Sequence, residues 1–467
     1  MNRSGRLPGD RRMLLTIVAL AWPTMLEQFM QTAVQYIDTA MVGSLGTHAT
    51  AAVGCTGTVN WLIGSLVSSM GVGFLAFISQ SIGARRPDRA RAAAAQCLTV
   101  TALTGLALTV LIQLLASSVP VWMRADPAIR QDAAMYFRVL HATILFRSAS
   151  IIPAMVLRAA GDTRTPMRIS LIVNLINVTL NYLMIYPTRA VTVLSVSFTM
   201  PGAGMGVIGA AWASAVAYAV GGLLTLARLW KHPSISPKGF SFRPDGEILR
   251  PVFRVALPNT LQRVATSLGY VVFASMINAL GETSTAAHTV ANTVESAFYI
   301  PGWGMQTAAA TLSGFAFGEK NREKLRRLGN TFLPLEIALM VVSGGLLFIF
   351  APSLVRIFTR DAEVIRLGTT VLRMVAVSEP FYGVPIVTEG MMQGCGQTRI
   401  PMVFNLACMW GVRILGTWVC TCLLGYGLVS AWGCMIGHNL TLFFLFGFWF
   451  VTGRWNALEY RKAKPAR

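Results

Sequence analysis

Between Leu14 and Val451 long apolar runs alternate with short polar breaks, and each run approaches the ~20 residues that a helix needs to cross a bilayer. Twelve runs can be drawn, at 14–37, 51–78, 94–117, 135–157, 167–187, 205–227, 252–279, 286–315, 329–350, 367–391, 401–424 and 428–451. A backbone in hydrocarbon must satisfy its own hydrogen bonds, so runs of this length predict helices. Twelve crossings return both termini to one side. The first run follows Arg3, Arg6, Arg11 and Arg12 and starts like a signal peptide, but it continues past Pro23 to Ile37 without a cleavage site. It reads as an uncleaved first span.

Composition agrees. Of 467 residues 54% are hydrophobic and 12% charged, with a mean hydropathy of +0.57, far too few polar groups to cover a soluble protein. The net charge of +20 would suit nucleic acid, but Lys and Arg fall in short clusters between apolar runs rather than on one face. On one side of the predicted topology the segments hold 28 Lys and Arg, among them Arg85–Arg91, Arg158–Arg168, Arg228–Arg254 and Lys320–Arg327. The opposite side holds six: Arg124, Arg130, Arg189, Arg356, Arg360 and Arg366. The positive-inside rule then orients the chain in the cytoplasmic (inner) membrane with both termini inside. No CxxC occurs among the seven cysteines, which predicts free thiols rather than a disulfide framework or a zinc site.

The two halves repeat at a fixed offset. Pro23 matches Pro258, Leu45-Gly46 matches Leu280-Gly281, Gly83 matches Gly318, Asp126 matches Asp361 and Arg138 matches Arg373. Gly161-x-Thr163-Arg164-x-Pro166 matches Gly396-x-Thr398-Arg399-x-Pro401, and every pair differs by 235. Ala211-Trp212 and Ala431-Trp432 differ by 220, so the first half carries about fifteen extra residues, expected near 188–204. Each half has an even number of spans, so the repeats enter the membrane in the same sense. The expected fold is all-α integral membrane: twelve transmembrane helices in two parallel six-helix repeats around a central cleft. The expected domains are an N-terminal lobe at 1–227, a cytoplasmic linker at 228–251 and a C-terminal lobe with a basic tail at 252–467. One chain supplies both lobes, so the unit expected to function is the monomer.

Polar residues inside the spans are the candidate chemistry. Thr24, Glu27, Gln31, Gln35 and Asp38 lie on one face of span 1, which must line a cavity or pack inside the lobe. Burial raises a carboxyl's affinity for a proton, so an acid that loads on one side of the membrane and unloads on the other can power export. Asp38 either does this or caps the helix end. In span 5, Asn174, Asn177 and Asn181 either bind helices together or tune Asp38. Span 8 carries His288, Asn292, Glu295 and Tyr299; span 7 carries Gln262, Arg263 and Tyr270; span 10 carries Glu379, Tyr382 and Glu389. An ion pair between Glu295 and Arg263 is expected, a hydrated structural role for His288, and an interfacial anchoring role for Arg138 and Arg373. Among soluble-enzyme motifs, GxxxxGK[ST] is absent, which disfavours an ATP-driven pump.

Several of these residues also resemble a known family. Ala21-Trp22-Pro23, Asp38-Thr39-Ala40-Met41-Val42-Gly43 and Leu45-Gly46 resemble span 1 of the multidrug and toxic compound extrusion (MATE) family. Gly161–Pro166 and Gly396–Pro401 are similar to its loops after spans 4 and 10, and Asn177–Tyr182 to its span 5. The resemblance covers almost the whole chain. It implies export of organic cations and other amphipathic drugs in exchange for protons or sodium, with no other cofactor, no enzyme activity and no partner beyond substrate and bilayer. In the DinF-like branch, which the sequence favours, the coupling site is the span 1 aspartate with polar residues of span 5. That implies Asp38, Asn177, Asn181 and nearby Ser214, with sodium at Asp38 as the one metal alternative. Many DinF-like members have aspartate where this chain has Asn181, so one titratable group is missing. The NorM-like branch places acids in spans 7 and 10, and span 7 here has none. Glu27, Gln31, Gln35, Glu295, Tyr299, Tyr382 and Glu389 are the candidate cavity residues. Two rivals remain: a lipid-linked oligosaccharide flippase, which would need several basic residues for pyrophosphate, and a membrane-embedded enzyme, which would need clustered His, Asp or Ser at depth.

Overall fold

The computed structural model describes residues 8–123, 125–193, 196–456 and 458; side chains of 8–10 and 190–198 are not described. Arg3, Arg6, Arg124 and the tail residues Arg461, Lys462, Lys464 and Arg467 of the charge census lie outside the described residues.

Span 1 is a single helix, α1 (Pro8–Gly43), followed by α2 (Thr47–Gly54), α3 (Gly57–Gly83), α4 (Pro87–Leu115) and the short α5 (Val119–Trp122). Span 4 is broken into α6 (Arg130–Ala142) and α7 (Ile144–Ala159), bent by 50°. Span 5 is α8 (Arg164–Ile185). The extra residues of the first half form an antiparallel hairpin, β1 (Pro187–Val193) with β2 (Val196–Ala203), in a stretch rich in Val and Thr. Arg189 lies over the rings of Tyr182 and Tyr186, which joins the hairpin to the end of α8. Then come α9 (Gly206–Trp230), α10 (Gly246–Asn278), α11 (Glu282–Phe298) and α12 (Ile300–Gly318), the last two divided ahead of Pro301. They are followed by α13 (Arg322–Phe358), α14 (Ala362–Gly394) and α15 (Arg399–Ala407). A π-type turn (Cys408–Ile414), α16 (Leu415–Trp418), a second π-type turn (Val419–Leu423) and α17 (Leu428–Val451) complete the described chain.

These elements make twelve spanning runs among the described residues, in an all-α membrane fold with one added hairpin. Eight helices are long and apolar enough to cross a membrane alone, nine with the bent pair α6–α7. The other three runs, α10, α11–α12 and α14, carry Arg263, Glu295, Glu379 and Glu389. Large side chains such as Leu114, Leu175, Ile349 and Phe444 are exposed, as lipid-facing positions require.

The repeat is written into the backbone. Gly46 and Gly281 precede α2 and α11 with φ of 109° and 104°, a conformation open to glycine alone. Gly161 and Gly396 follow α7 and α14 with φ of 85° and 78°, and even the non-glycine Arg85 and Lys320 share φ of 56° and 55°. Asp126 and Asp361 both turn a carboxylate onto the backbone N–H two residues ahead. All four pairs keep the 235-residue offset.

Contacts divide the chain into two compact units, Met1–Met25 with Leu75–Arg86 and Arg250–Arg467, and Leu26–Phe74 with Pro87–Leu249. In the first, the C-terminal ends of α3 and α12 meet as repeat equivalents. A Cβ at Gly83 would stand 2.1 Å from the Phe315 carbonyl oxygen, and one at Gly318 2.0 Å from that of Gln80. Gln80 and Phe315 are themselves 235 apart, so the contact is self-complementary about a local two-fold. Gln80 Nε2 also donates to the Gly394 carbonyl at 2.8 Å. In the second unit the segment between α9 and α10 is strapped onto α4. Gln96, buried, donates to the carbonyls of Ser241 and Arg243 and accepts from Asp245 N–H, while Arg91 donates to Pro233 and Ser234.

The seam between α3 and α12 has no room for a methyl group. Gly318→Ala should therefore cost about 1–3 kcal/mol through overpacking, whereas Gly345→Ala, with nothing within 4 Å, should be neutral or slightly stabilising. Unfolding midpoints of the purified protein in detergent check this, and equal midpoints for the two variants would refute the close approach.

Candidate ion-coupling site

Asp38 lies near the C-terminal end of α1, on the second unit's stretch of that helix, and is half-buried. The helical period of α8 brings Asn177 and Asn181, one turn apart and both buried, to the same place. Asn181 Nδ2 donates to Asp38 Oδ1 at 2.6 Å. With its amide turned to satisfy both neighbours, Asn177 donates to Asp38 Oδ1 and Oδ2 at 2.9 and 3.2 Å and accepts from Ser214 Oγ at 3.0 Å. Four residues from three helices thus form one chain of hydrogen bonds ending on a carboxylate. Among the described residues no Lys, Arg or His forms an ion pair with Asp38. Asn174, the third amide of the ladder, is buried with an unpartnered Nδ2 and does not join.

The other acid of span 1 is held differently. Glu27 accepts from Arg158 Nη2 at 2.7 and 2.6 Å, with both side chains buried. Arg158 was expected in a loop, but it lies in the last turn of α7, which carries it inward to Glu27, the expected cavity acid. Repeat arithmetic shows what this pair is. Its counterparts are Gln262 and Gln393, and both donate to Glu389, at 2.9 and 3.0 Å, with Asn405 adding a third donor at 3.2 Å. Each half thus ties its first helix to its fourth span through a carboxylate with its donors supplied, buried at Glu27 and half-buried at Glu389. Gln31 and Gln35 are exposed, with Gln31 Nε2 reaching Ser170 Oγ at 3.4 Å.

In the first unit Tyr299 donates to Glu295 Oε1 at 2.6 Å and packs edge-on to Tyr382, ring centres 5.3 Å apart. The expected pair of Glu295 with Arg263 does not form; Arg263 lies in electrostatic reach of Glu389. His288, half-buried near the start of α11, sits edge-on to Phe273 and Trp432. Arg138 donates to Ser117 Oγ, and Arg373 lies over Phe348 and reaches its carbonyl, with both arginines exposed. Two further acids, Glu336 and Glu379, are fully buried with all four carboxyl oxygens unpartnered. A Cβ at Gly302 or Gly383 would stand 3.0 Å from the Glu336 side chain. Glu336 was missed, although its signal was plain: a charge in the middle of the apolar run 329–350.

The MatE family model matches residues 23–183 and again 258–419, twice over at the repeat offset. The chain belongs to the MatE family. It is 28% identical over 443 residues to a probable multidrug resistance protein NorM of Thermotoga maritima, covering 94% of this chain and 92% of that one. It is 23% identical to the probable multidrug resistance protein YoeA of Bacillus subtilis, covering 91% of each. Among solved structures, an outward-facing multidrug resistance MATE family transporter of the MOP superfamily is similar with a TM-score of 0.87 and 24% identity, covering 98% of this chain and 100% of that one. A MATE crystallised with MaD3S gives 0.86 and 24%, covering 97% and 99%. These likenesses show a MatE membrane fold.

Glu27→Gln removes the carboxylate charge opposite the buried Arg158 guanidinium, which should cost about 3–5 kcal/mol. Adding Arg158→Gln removes the orphaned charge and copies the amides of the other half, so the double variant should recover much of the loss. Unfolding midpoints read this; a double variant less stable than Glu27→Gln would contradict the pairing.

Proposed function

We propose that this MatE-family protein is a secondary exporter of amphipathic, mainly cationic, drug-like compounds, working by alternating access in the cytoplasmic membrane with both termini inside. Protons or sodium entering at Asp38 drive it. One observation carries the reading: Asp38 receives amide donors and no counter-charge. Two amide donors orient a carboxylate and stabilise it in part, but without the third donor and the neighbouring arginine that Glu389 has they leave its charge uncancelled. In a bilayer that charge has to be cancelled by a mobile cation or an incoming proton, and a site loaded and unloaded in this way is what an antiporter needs. Asn181 in place of a second acid limits the site to one exchangeable charge. The contrast with Glu27, whose charge is permanently answered by Arg158, separates the coupling acid from the structural one.

The relatives named as probable multidrug resistance proteins support drug-like substrates. The charge asymmetry of the loops supports the orientation. Glu295, Tyr299 and Tyr382 supply an acid and two edge-on rings suited to an organic cation. The DinF-like branch fits an acid on span 1 with amides on span 5.

In drug-sensitive cells expressing the protein, Asp38→Asn should abolish efflux of a cationic dye such as ethidium at unchanged membrane abundance. Asn181→Ala should weaken efflux and shift its pH dependence, because one donor to Asp38 is lost. Retained efflux by Asp38→Asn would overturn the coupling role. Vesicles at fixed sodium and varied pH, and the reverse, identify the ion.

A further inference from the structure

Among the described cysteines one pair of sulfurs is in contact. Cys420 lies on the π-type turn Val419–Leu423 that ends span 11, and Cys434 lies on α17, which returns as span 12. Cys434 Sγ donates to Cys420 Sγ at 3.8 Å, and both residues are half-buried. The two thiols thus face each other across the hairpin whose loop is 424–427. That loop folds back onto the turn: the N–H of Leu424 donates to the Val419 carbonyl at 3.0 Å, and that of Tyr426 to the Cys420 carbonyl at 2.8 Å. Wide turns of this kind interrupt helices most often at functional sites. The other cysteines are placed apart. Cys55 donates to the Ala52 carbonyl, Cys97 meets Thr101, the exposed Cys422 meets Thr421, and Cys395 and Cys408 are buried.

The place of the pair is telling. The 235-residue offset puts Phe273, Val412 and Gly416 at the positions of Asp38, Asn177 and Asn181, and the 220-residue offset beyond the hairpin puts Cys434 at that of Ser214. Every side chain of the first half's hydrogen-bonded chain is therefore exchanged in the second, three for groups with no polar side-chain atom and the hydroxyl for a thiol. A Cβ at Gly416 would stand 3.2 Å from Cys434 Sγ, so the glycine leaves the space in which the sulfur lies. Cys420 takes the place of Ile185. Thiols are weak hydrogen-bonding groups, so the exchange gives up a strong donor and acceptor. What a contacting thiol pair offers instead is bond formation between its sulfurs. Among the described residues no third His, Cys, Asp or Glu joins the pair closely enough to make a metal site.

We propose that Cys420 and Cys434 are a peroxide-oxidisable dithiol, whose disulfide pins the turn at the end of span 11 to α17 and slows export. One sulfur, as thiolate, attacks a peroxide oxygen and becomes a sulfenic acid; the O–O bond breaks, and the leaving hydroxide takes up the thiol proton as water. The second sulfur then attacks the sulfenic sulfur, the S–S bond forms and a second water leaves. Two thiols and one hydrogen peroxide give one disulfide and two waters. The sulfurs have only to close from 3.8 Å to the ~2.05 Å of the bond. Hydrogen peroxide is small and uncharged, so it enters a half-buried site inside a span where a charged oxidant is held back. Packed helices slide past one another in shear motions, and a covalent bridge between neighbours forbids the slide. On the proposed orientation the hairpin points outward, to the side where disulfides persist. The slowing rests on the exporter reading; the bond does not.

The test uses the purified full-length protein in proteoliposomes. After treatment with hydrogen peroxide, N-ethylmaleimide caps the remaining thiols, and mass spectrometry of the digest reads the sulfur pairing. The peptides of Cys420 and Cys434 should be joined with loss of two hydrogens and separated again by dithiothreitol, while Cys97, Cys395 and Cys408 carry the cap. Ethidium transport by the same liposomes should fall in proportion to the paired fraction and return with dithiothreitol. Cys420→Ser and Cys434→Ser should transport like untreated wild type and keep their rate in peroxide. Oxidation of either sulfur to the sulfinic acid without pairing overturns the dithiol, as does pairing of either with Cys422. A joined pair that leaves the rate untouched overturns the lock. If one serine variant fails to fold, the wild-type pairing, its reversal and the other variant still decide. Reduced wild type that carries no ethidium rejects the exporter reading and leaves the pairing to stand on its own.

Discussion

Charge inside a bilayer must be answered by a fixed opposite charge, by enough oriented donors, or by something that arrives and leaves. Three acids inside the spans, Glu27, Glu389 and Asp38, sample these answers. Glu27 has Arg158 across a fixed ion pair. Glu389 has three amide donors, from Gln262, Gln393 and Asn405, with Arg263 in reach. Asp38, half-buried as Glu389 is, has amides alone. The first two are solved problems, and they hold helices together. The third has neither an ion pair nor a third donor, which is the feature on which the proposed coupling role rests.

The scaffold that makes this possible depends on a few backbone positions. Gly46 and Gly281 turn the chain where only glycine can, and Gly83 and Gly318 let two helix ends approach to backbone contact. Close approach through small residues is the main packing device left to helices in lipid, where burial of apolar surface supplies no drive between them. The polar seam of Gln80 on the Gly394 carbonyl adds direction to an otherwise featureless contact.

Much of this was legible in the sequence, for identifiable reasons. Hydropathy recurs once per span, so the twelve runs are counted directly. The 235-residue offset survives because turn glycines and capping acids are backbone requirements, and it also located the insertion that became the hairpin. Asp38 with Asn177, Asn181 and Ser214 was reached through the family resemblance, and the structure brings these four side chains together. What failed was pairing between helices. Periodicity says which residues share a face, but not which other helix that face meets, so Glu295 was assigned to Arg263 when its partner is Tyr299 one turn away. Arg158 was read as a loop charge because it sits at a predicted boundary, where an error of one turn moves a side chain from water to core. Arg413 was counted among the charges inside spans but given no role, since nothing in one dimension shows that its neighbours would be rings.

The halves agree wherever the backbone makes a demand and disagree wherever chemistry is done. By the 235-residue offset Asp38 corresponds to Phe273, Arg413 to Val178, and the ion pair Glu27–Arg158 to the amides Gln262 and Gln393. A duplicated unit begins with two identical sites, and identical sites would bind a ligand equally in two symmetric poses. An exporter that exchanges an ion for a drug gains from the opposite arrangement. On the proposed reading the first half supplies the ion site, an acid with neutral donors, while the second half carries Arg413 against the rings of Phe273 and Tyr270. Loss of symmetry at these few positions, over a backbone that kept it, is the mark of that division of labour.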